Sequence, residues 1–207
     1  MHKKLQSIDD NILRSINASI AASVFSTKDF IRFGKSPAIG QALTRLVKAG
    51  RLRRVRHGLY DLPRAHPILG QTPTDPTAMV RALMKDSGAQ WQFSGAYAAN
   101  LLGLSEQVPA QIVVFTDGTP RRVALGKLII VFRRAAPRNL LGAGRLAGIV
   151  IQALRYMKRA GLTPTEVSLL RRRLDAETKI DLAKLAPHTP VWMQPLINRV
   201  VDDSEKS

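Results

Sequence analysis

The chain has no cysteine among its 207 residues. Disulfides, thiolate metal sites and a thiol nucleophile are thereby excluded. Acid is scarce as well, with 15 Asp/Glu set against 32 Lys/Arg and a net charge of +17. The scarcity is sharpest in residues 121–173, where Glu166 is the single acid among 13 Lys/Arg. Metal-dependent phosphodiester chemistry needs clustered carboxylates. Between Glu106 and Glu166 the only acid is Asp117, in "TDGTP", a turn sequence. Asp175, Glu177 and Asp181 gather near an expected helix start, where acids suit the helix dipole. His2, His57, His66 and His188 lack metal-ligand spacing. "GAGRLAG" at 142–148 lacks the spacing of a phosphate loop and reads as small residues packing closely. We therefore expect no enzyme, no metal and no cofactor. Long apolar runs are missing too. "LAGIVIQALRYM" is far shorter than a bilayer span, and "MHKKLQSIDDN" lacks the apolar core of a secretion signal. The expectation is a cytoplasmic protein with no membrane partner.

Hydrophobic residues make up 45% of the chain, enough for a packed core. The positive charge is uneven. Residues 1–66 carry a net +9 and residues 121–173 a net +12, while 67–120 and 174–207 each sum to −2. Two basic blocks point to an anionic partner, nucleic acid or an anionic membrane surface.

The first block carries three helix signatures. Ser7 caps a helix with Ile8, Ile12, Leu13 and Ile16 on one face, and Asp10 completes a capping box. In "VFSTKDFIRFG", Ser26 and Asp29 form a second box, and Phe25 and Phe30 hold the staple positions. In "KSPAIGQALTRLVKAG", Ser36 is the expected cap, Pro37 opens the helix and Gly50 closes it. Ile39, Leu43, Leu46 and Val47 would be buried, leaving Gln41, Thr44, Arg45 and Lys48 outside, with Ser36 and Ala38 at the exposed N-terminal end. "RLRRV" and "LYDL", separated by Arg56-His57-Gly58, read as a hairpin with a bulge that reconciles Leu52 with Val55.

Helix, short helix, turn, helix and basic hairpin follow the order of a winged helix-turn-helix. The expected DNA contacts are Ser36, Ala38, Gln41, Thr44, Arg45 and Lys48 on the third helix. Arg51, Arg53, Arg54, Arg56 and His57 on the hairpin would reach flanking phosphates. A second basic surface is expected from Arg121, Arg122, Arg133, Arg134, Arg138, Arg145, Arg155, Lys158 and Arg159.

Four prolines punctuate residues 63–77. Beyond them a helix opens at Asp75-Pro76. "WQFS", "AQIVVFTDG" and "KLIIVFRR" read as strands, with "RRVAL" pairing between the last two. "GAYAANLLGL" and most of 138–203 read as helical, interrupted at 161–164 and 186–190. The fold class is α+β: a winged helix-turn-helix at 1–65, a proline-rich connection at 66–77, and a mixed α+β domain at 78–207. An RNA- or protein-binding module is the alternative to a DNA-binding unit.

"GQALTRLVKAGRLRRVRHGLYDLPR" and "SGAYAANLLGLSEQVPAQIVVFTDGTPRRVALGKLIIVFRRA" resemble the AbiEi-like antitoxins and transcriptional regulators of AbiE-type toxin–antitoxin systems. The resemblance covers roughly residues 5 to 160. It implies a bacterial cytoplasmic autorepressor that binds inverted repeats in its own promoter; two monomers or a dimer can fill such repeats. It also implies a C-terminal domain that neutralises a nucleotidyltransferase-like toxin, by a route that need not involve direct contact.

Overall fold

The computed structural model describes residues 7–19, 23–63, 65–66, 70–107, 109–157 and 161–202. Ser7 caps α1 (Ile8–Asn17): its Oγ accepts from the Asp10 N–H at 3.1 Å and donates to the Asp10 carboxylate at 2.8 Å. Strand β1 (Val24–Ser26) leads into a 3-10 helix, Thr27–Phe33. Its capping box is complete, with the Ser26 N–H donating to Asp29 at 2.7 Å. Phe25 and Phe30 close the staple with ring centroids 6.0 Å apart.

Helix α2 spans Ser36–Lys48, and its cap corrects the expectation for Ser36. Lys35 is the N-cap. It holds the extended conformation a cap needs, and its carbonyl accepts the first ladder bond from the Ile39 N–H at 3.1 Å. The far end meets the expectation. Gly50 has φ +66, its N–H donates to the Val47 carbonyl, and the Arg51 N–H donates to that of Leu46. That is a Schellman motif, and only glycine adopts its left-handed residue cheaply.

Strands β2 (Arg53–Arg56) and β3 (Leu59–Asp61) form an antiparallel hairpin turning on His57 and Gly58. Arg54 opposes Tyr60 and Arg56 opposes Leu59, so Val55 is the bulged residue. β1 joins the other side of β3, giving the order β1-β3-β2. Ile12, Phe30, Ile39, Leu43 and Leu52 are buried together with Tyr60, so the hairpin is pinned onto the helices by its apolar side. Each fully buried side chain of this size contributes about 2–3 kcal/mol.

The short strands β4 (Ala65–His66) and β5 (Gly70–Gln71) pair antiparallel. Helix α3 (Pro76–Met84) follows, capped by Asp75, which accepts from the Thr77 and Ala78 N–H groups. The chain divides into two units, Met1–Asp86 and Ser87–Ser207. The boundary therefore lies beyond the expected 66–77 connection, and α3 belongs to the first unit. α3 packs against β1 of that unit, and just after it Lys85 pairs with Asp29 and Asp86 pairs with Lys28 at 3.2 Å.

The second unit opens with β6 (Trp91–Phe93) and α4 (Gly95–Leu101), then β7 (Gln111–Thr116), β8 (Arg121–Leu125) and β9 (Leu128–Arg134). The sheet order is β6-β7-β9-β8. β8 does not pair between β7 and β9, as the sequence suggested. It folds back on β9 across Gly126-Lys127 and takes the edge, while β9 runs parallel to β7. The centre goes to the strands with two apolar partners: Ile112 lies opposite Ile130, and Val114 opposite Phe132. The arginine-rich β8 is left outside. Helices α5 (Leu146–Met157), α6 (Pro164–Arg173), α7 (Ala176–Leu185) and α8 (Gln194–Val201) complete the unit. Val150, Ile151, Leu154, Leu170, Leu182 and Ile197 form its helical core. The "GAGRLAG" stretch is the close approach expected of it. A Cβ at Gly148 would collide with the backbone of Gly142 and with the Gln92 amide. The architecture is α+β. Among the described residues no helix is long and apolar enough to cross a membrane.

Candidate nucleic-acid interface

The buried side of α2 leaves one outward stripe. Gln41, Thr44, Arg45 and Lys48 are exposed on it. Ser36 is exposed at the start of the helix, and Ala38 is half-buried. Thr44 is partly committed, because its hydroxyl donates to the Gly40 carbonyl at 2.8 Å. Arg45 is held by a carboxylate far from it in the chain, on α1. Its Nε and Nη2 donate to Asp9 at 3.1 and 2.6 Å, a bidentate bridge from α2 to α1. That contact raises the guanidinium above its ordinary value, and it fixes Arg45 on the exposed stripe.

The hairpin arginines divide into two groups. Arg51, Arg54 and Arg56 are exposed. Arg51 and Arg56 have no side-chain partner among the described residues, and Arg54 places Nη2 2.7 Å from His57 Nδ1. A guanidinium only donates, so in this contact His57 accepts through Nδ1.

Arg53 corrects the expectation of a phosphate contact. It turns inward onto Asp61, which is only 3% exposed. Nε and Nη2 donate to the two Asp61 oxygens at 2.9 and 2.5 Å, and Nη1 donates to the Thr72 carbonyl at 2.9 Å. The Thr74 hydroxyl closes the cluster, donating to Asp61 at 2.6 Å. The bond to Asp61 raises Arg53 above its ordinary value. Strand alternation sends Arg53 to the side opposite Arg54, where a buried carboxylate awaits it. Asp61, Thr72 and Thr74 together fix the position of Arg53.

Between α2 and the hairpin runs an open cleft of about 630 Å³, lined by Gln41, Thr44, Arg45, Arg54, His57 and Tyr60 among others. The helix stripe and the hairpin tip thus meet at one concave surface.

The second basic set is less uniform than its charge suggests. Arg122, Arg133, Arg134 and Arg138 are exposed, with no side-chain partner among the described residues. Arg121 lies over the Phe132 ring, 4.4 Å from its centroid. Arg145 is neutralised by Asp181 at 2.5 Å. Arg155 is half-buried and donates to the Asn139 side chain at 2.6 Å, so it is not part of an open face. Lys158 and Arg159 lie outside the described residues. Among the acids weighed for chemistry, Asp117 accepts from the Gln90 N–H at 2.9 Å and Asp175 caps α7. The Thr178 side chain and N–H hold the Asp175 carboxylate below its ordinary value. Among the described residues, no three His, Cys, Asp or Glu gather as a metal site would need.

The chain is similar to the RV2827C protein from Mycobacterium tuberculosis, whose crystal structure it matches at 17% identity and a TM-score of 0.42, over 96% of this chain and 77% of that one. No curated protein matches it. The match that runs through both units, over residues 11–182, is to DUF6088, a family of unknown function, and the chain belongs to that family.

Proposed function

We propose that the first unit is a winged helix-turn-helix and that the protein is a sequence-specific, DNA-binding transcriptional regulator acting in the cytoplasm. One observation carries the reading. The exposed stripe of α2 and the exposed tip of the β2–β3 hairpin flank a single open cleft, and the cations there outnumber the acids. A duplex major groove admits one helix. In this pose α2 enters it, Gln41 pairs with an adenine edge, and Arg45 exchanges Asp9 for a guanine or a phosphate. Arg51, Arg54 and Arg56 take phosphates on the flanking backbone. Arg53 takes none, because it is spent on Asp61.

The regulator's target, on this reading, is an inverted repeat in its own promoter, and its partner is a toxin of the nucleotidyltransferase type. That part rests on the resemblance of two sequence segments to AbiEi-like antitoxins. The test of the DNA reading is selection of tight-binding duplexes from a random pool with the full chain. An enriched motif supports it, and Gln41→Ala should relax one base position by about 1–3 kcal/mol. A pool that enriches nothing, or a preference for single-stranded RNA, overturns it.

A further inference from the structure

We propose that Arg138 and Arg155 form a phosphate-binding subsite in the second unit, independent of the DNA reading of the first. The argument starts from what charge burial demands. Exposed guanidiniums such as Arg122 and Arg133 are hydrated and need no partner. Arg145 has Asp181. Arg155 differs from all of these. It is half-buried on α5, and its Nε is buried with no hydrogen-bond partner among the described residues. Its Nη1 donates to the Asn139 side chain at 2.6 Å and its Nη2 lies 3.4 Å from the Arg138 carbonyl. Both are neutral acceptors, and no carboxylate among the described residues pairs with the charge. The charge that bears on it is Arg138, of the same sign. Burial first, and then Arg138, hold Arg155 below its ordinary value.

A partly buried cation beside a second cation is costly unless an anion joins them. The surroundings keep this pair in place. Gln152, itself buried, donates to the Asn139 carbonyl at 2.8 Å, so the residue that holds Arg155 is fixed in turn. Arg138, whose carbonyl faces Arg155, keeps its own side chain exposed. A guanidinium fork matches two oxygens of a phosphate, and two guanidiniums match its charge better than they match a single carboxylate. Arg133 and Arg134, exposed at the end of β9 and close before Arg138 in the chain, favour a phosphate within a larger polyanion but are not required for the subsite.

The test uses the full chain, with inorganic phosphate in one calorimetric arm and a short duplex of arbitrary sequence in another. Arg138→Ala removes a surface side chain and leaves the packing of α5 alone, which circular dichroism checks. We expect it to weaken phosphate binding about tenfold, the loss of one charge-assisted contact. Arg122→Ala, an exposed arginine outside the pair, should change it less than about twofold. A tenfold loss confined to the duplex arm identifies the ligand as a nucleic-acid phosphodiester, and a loss in the free-phosphate arm identifies a small phosphate ligand. If neither arm responds to Arg138→Ala, or if Arg122→Ala weakens binding as much, the subsite does not exist.

Discussion

The Arg53–Asp61 pair offers a quantitative test of how the hairpin is held. Asp61 is 3% exposed and its carboxylate accepts from Arg53 and Thr74, while the Arg53 side chain keeps 29% of its exposure. Breaking a fully buried ion pair costs about 3–5 kcal/mol, because one charge is stranded. Partial exposure of Arg53 lowers that figure. We expect Asp61→Leu and Arg53→Met each to cost about 2–3 kcal/mol, a fall in Tm of roughly 10–20 °C for a unit of this size. The double variant replaces both charges by apolar groups, so its loss should be smaller than the sum by at least about 1.5 kcal/mol. Guanidinium denaturation of the four proteins, read by circular dichroism, gives the cycle. Single losses below about 1 kcal/mol that simply add would mean that the pair behaves as a surface contact, and the inward assignment of Arg53 would fail.

Gly148→Ala should be destabilising by about 1–3 kcal/mol in calorimetry, although alanine is ordinarily the better helix former, because its Cβ meets the Gly142 backbone. Ser26→Ala should cost about 1 kcal/mol through its capping box, whereas Ser36→Ala should stay within about 0.5 kcal/mol, since Lys35 is the cap. Burial pushes the Asp29 carboxyl up, but Lys85 and the Ser26 N–H and hydroxyl pull it down further, so it sits below its ordinary value. Its stabilisation is complete above the ordinary carboxylate range and fades as the pH falls through the lowered value. Denaturation of Asp29→Asn against pH should therefore show a deficit at neutral pH that closes in acid.

Local signals in the sequence carried much of the fold. Ser7, Ser26 and Gly50 mark element ends through bonds spanning a few residues, and the bulge at Val55 was implied by the broken spacing from Leu52 to Val55. Long-range pairings were not legible in the same way. Nothing along the chain says that β9 lies beside β7, because both are short apolar runs and β8 intervenes. The site divides along the same line. The outward stripe of α2 follows from helical spacing alone. The split of the hairpin arginines does not, because Arg53 and Arg54 are chemically identical and only the buried Asp61 opposite tells them apart. Asp9 and Arg45 meet 36 residues apart, so their bridge depends on how α1 packs on α2. Arg155 looked like any basic residue on a helix until Asn139 was brought beneath it.

If α2 lies in the major groove with the hairpin on the flanking backbone, the exposed hairpin arginines hold duplex phosphates and Arg53 does not. The most direct measurement is the dependence of duplex affinity on salt, starting near about 50 mM, for the full chain and single variants. Arg51→Ala, Arg54→Ala and Arg56→Ala should each reduce the log–log slope by about 1, the signature of one lost phosphate contact. Arg53→Met, measured where it remains folded, should leave the slope unchanged. Slopes that ignore the three exposed arginines, or a slope that falls with Arg53, would rule out this mode of binding.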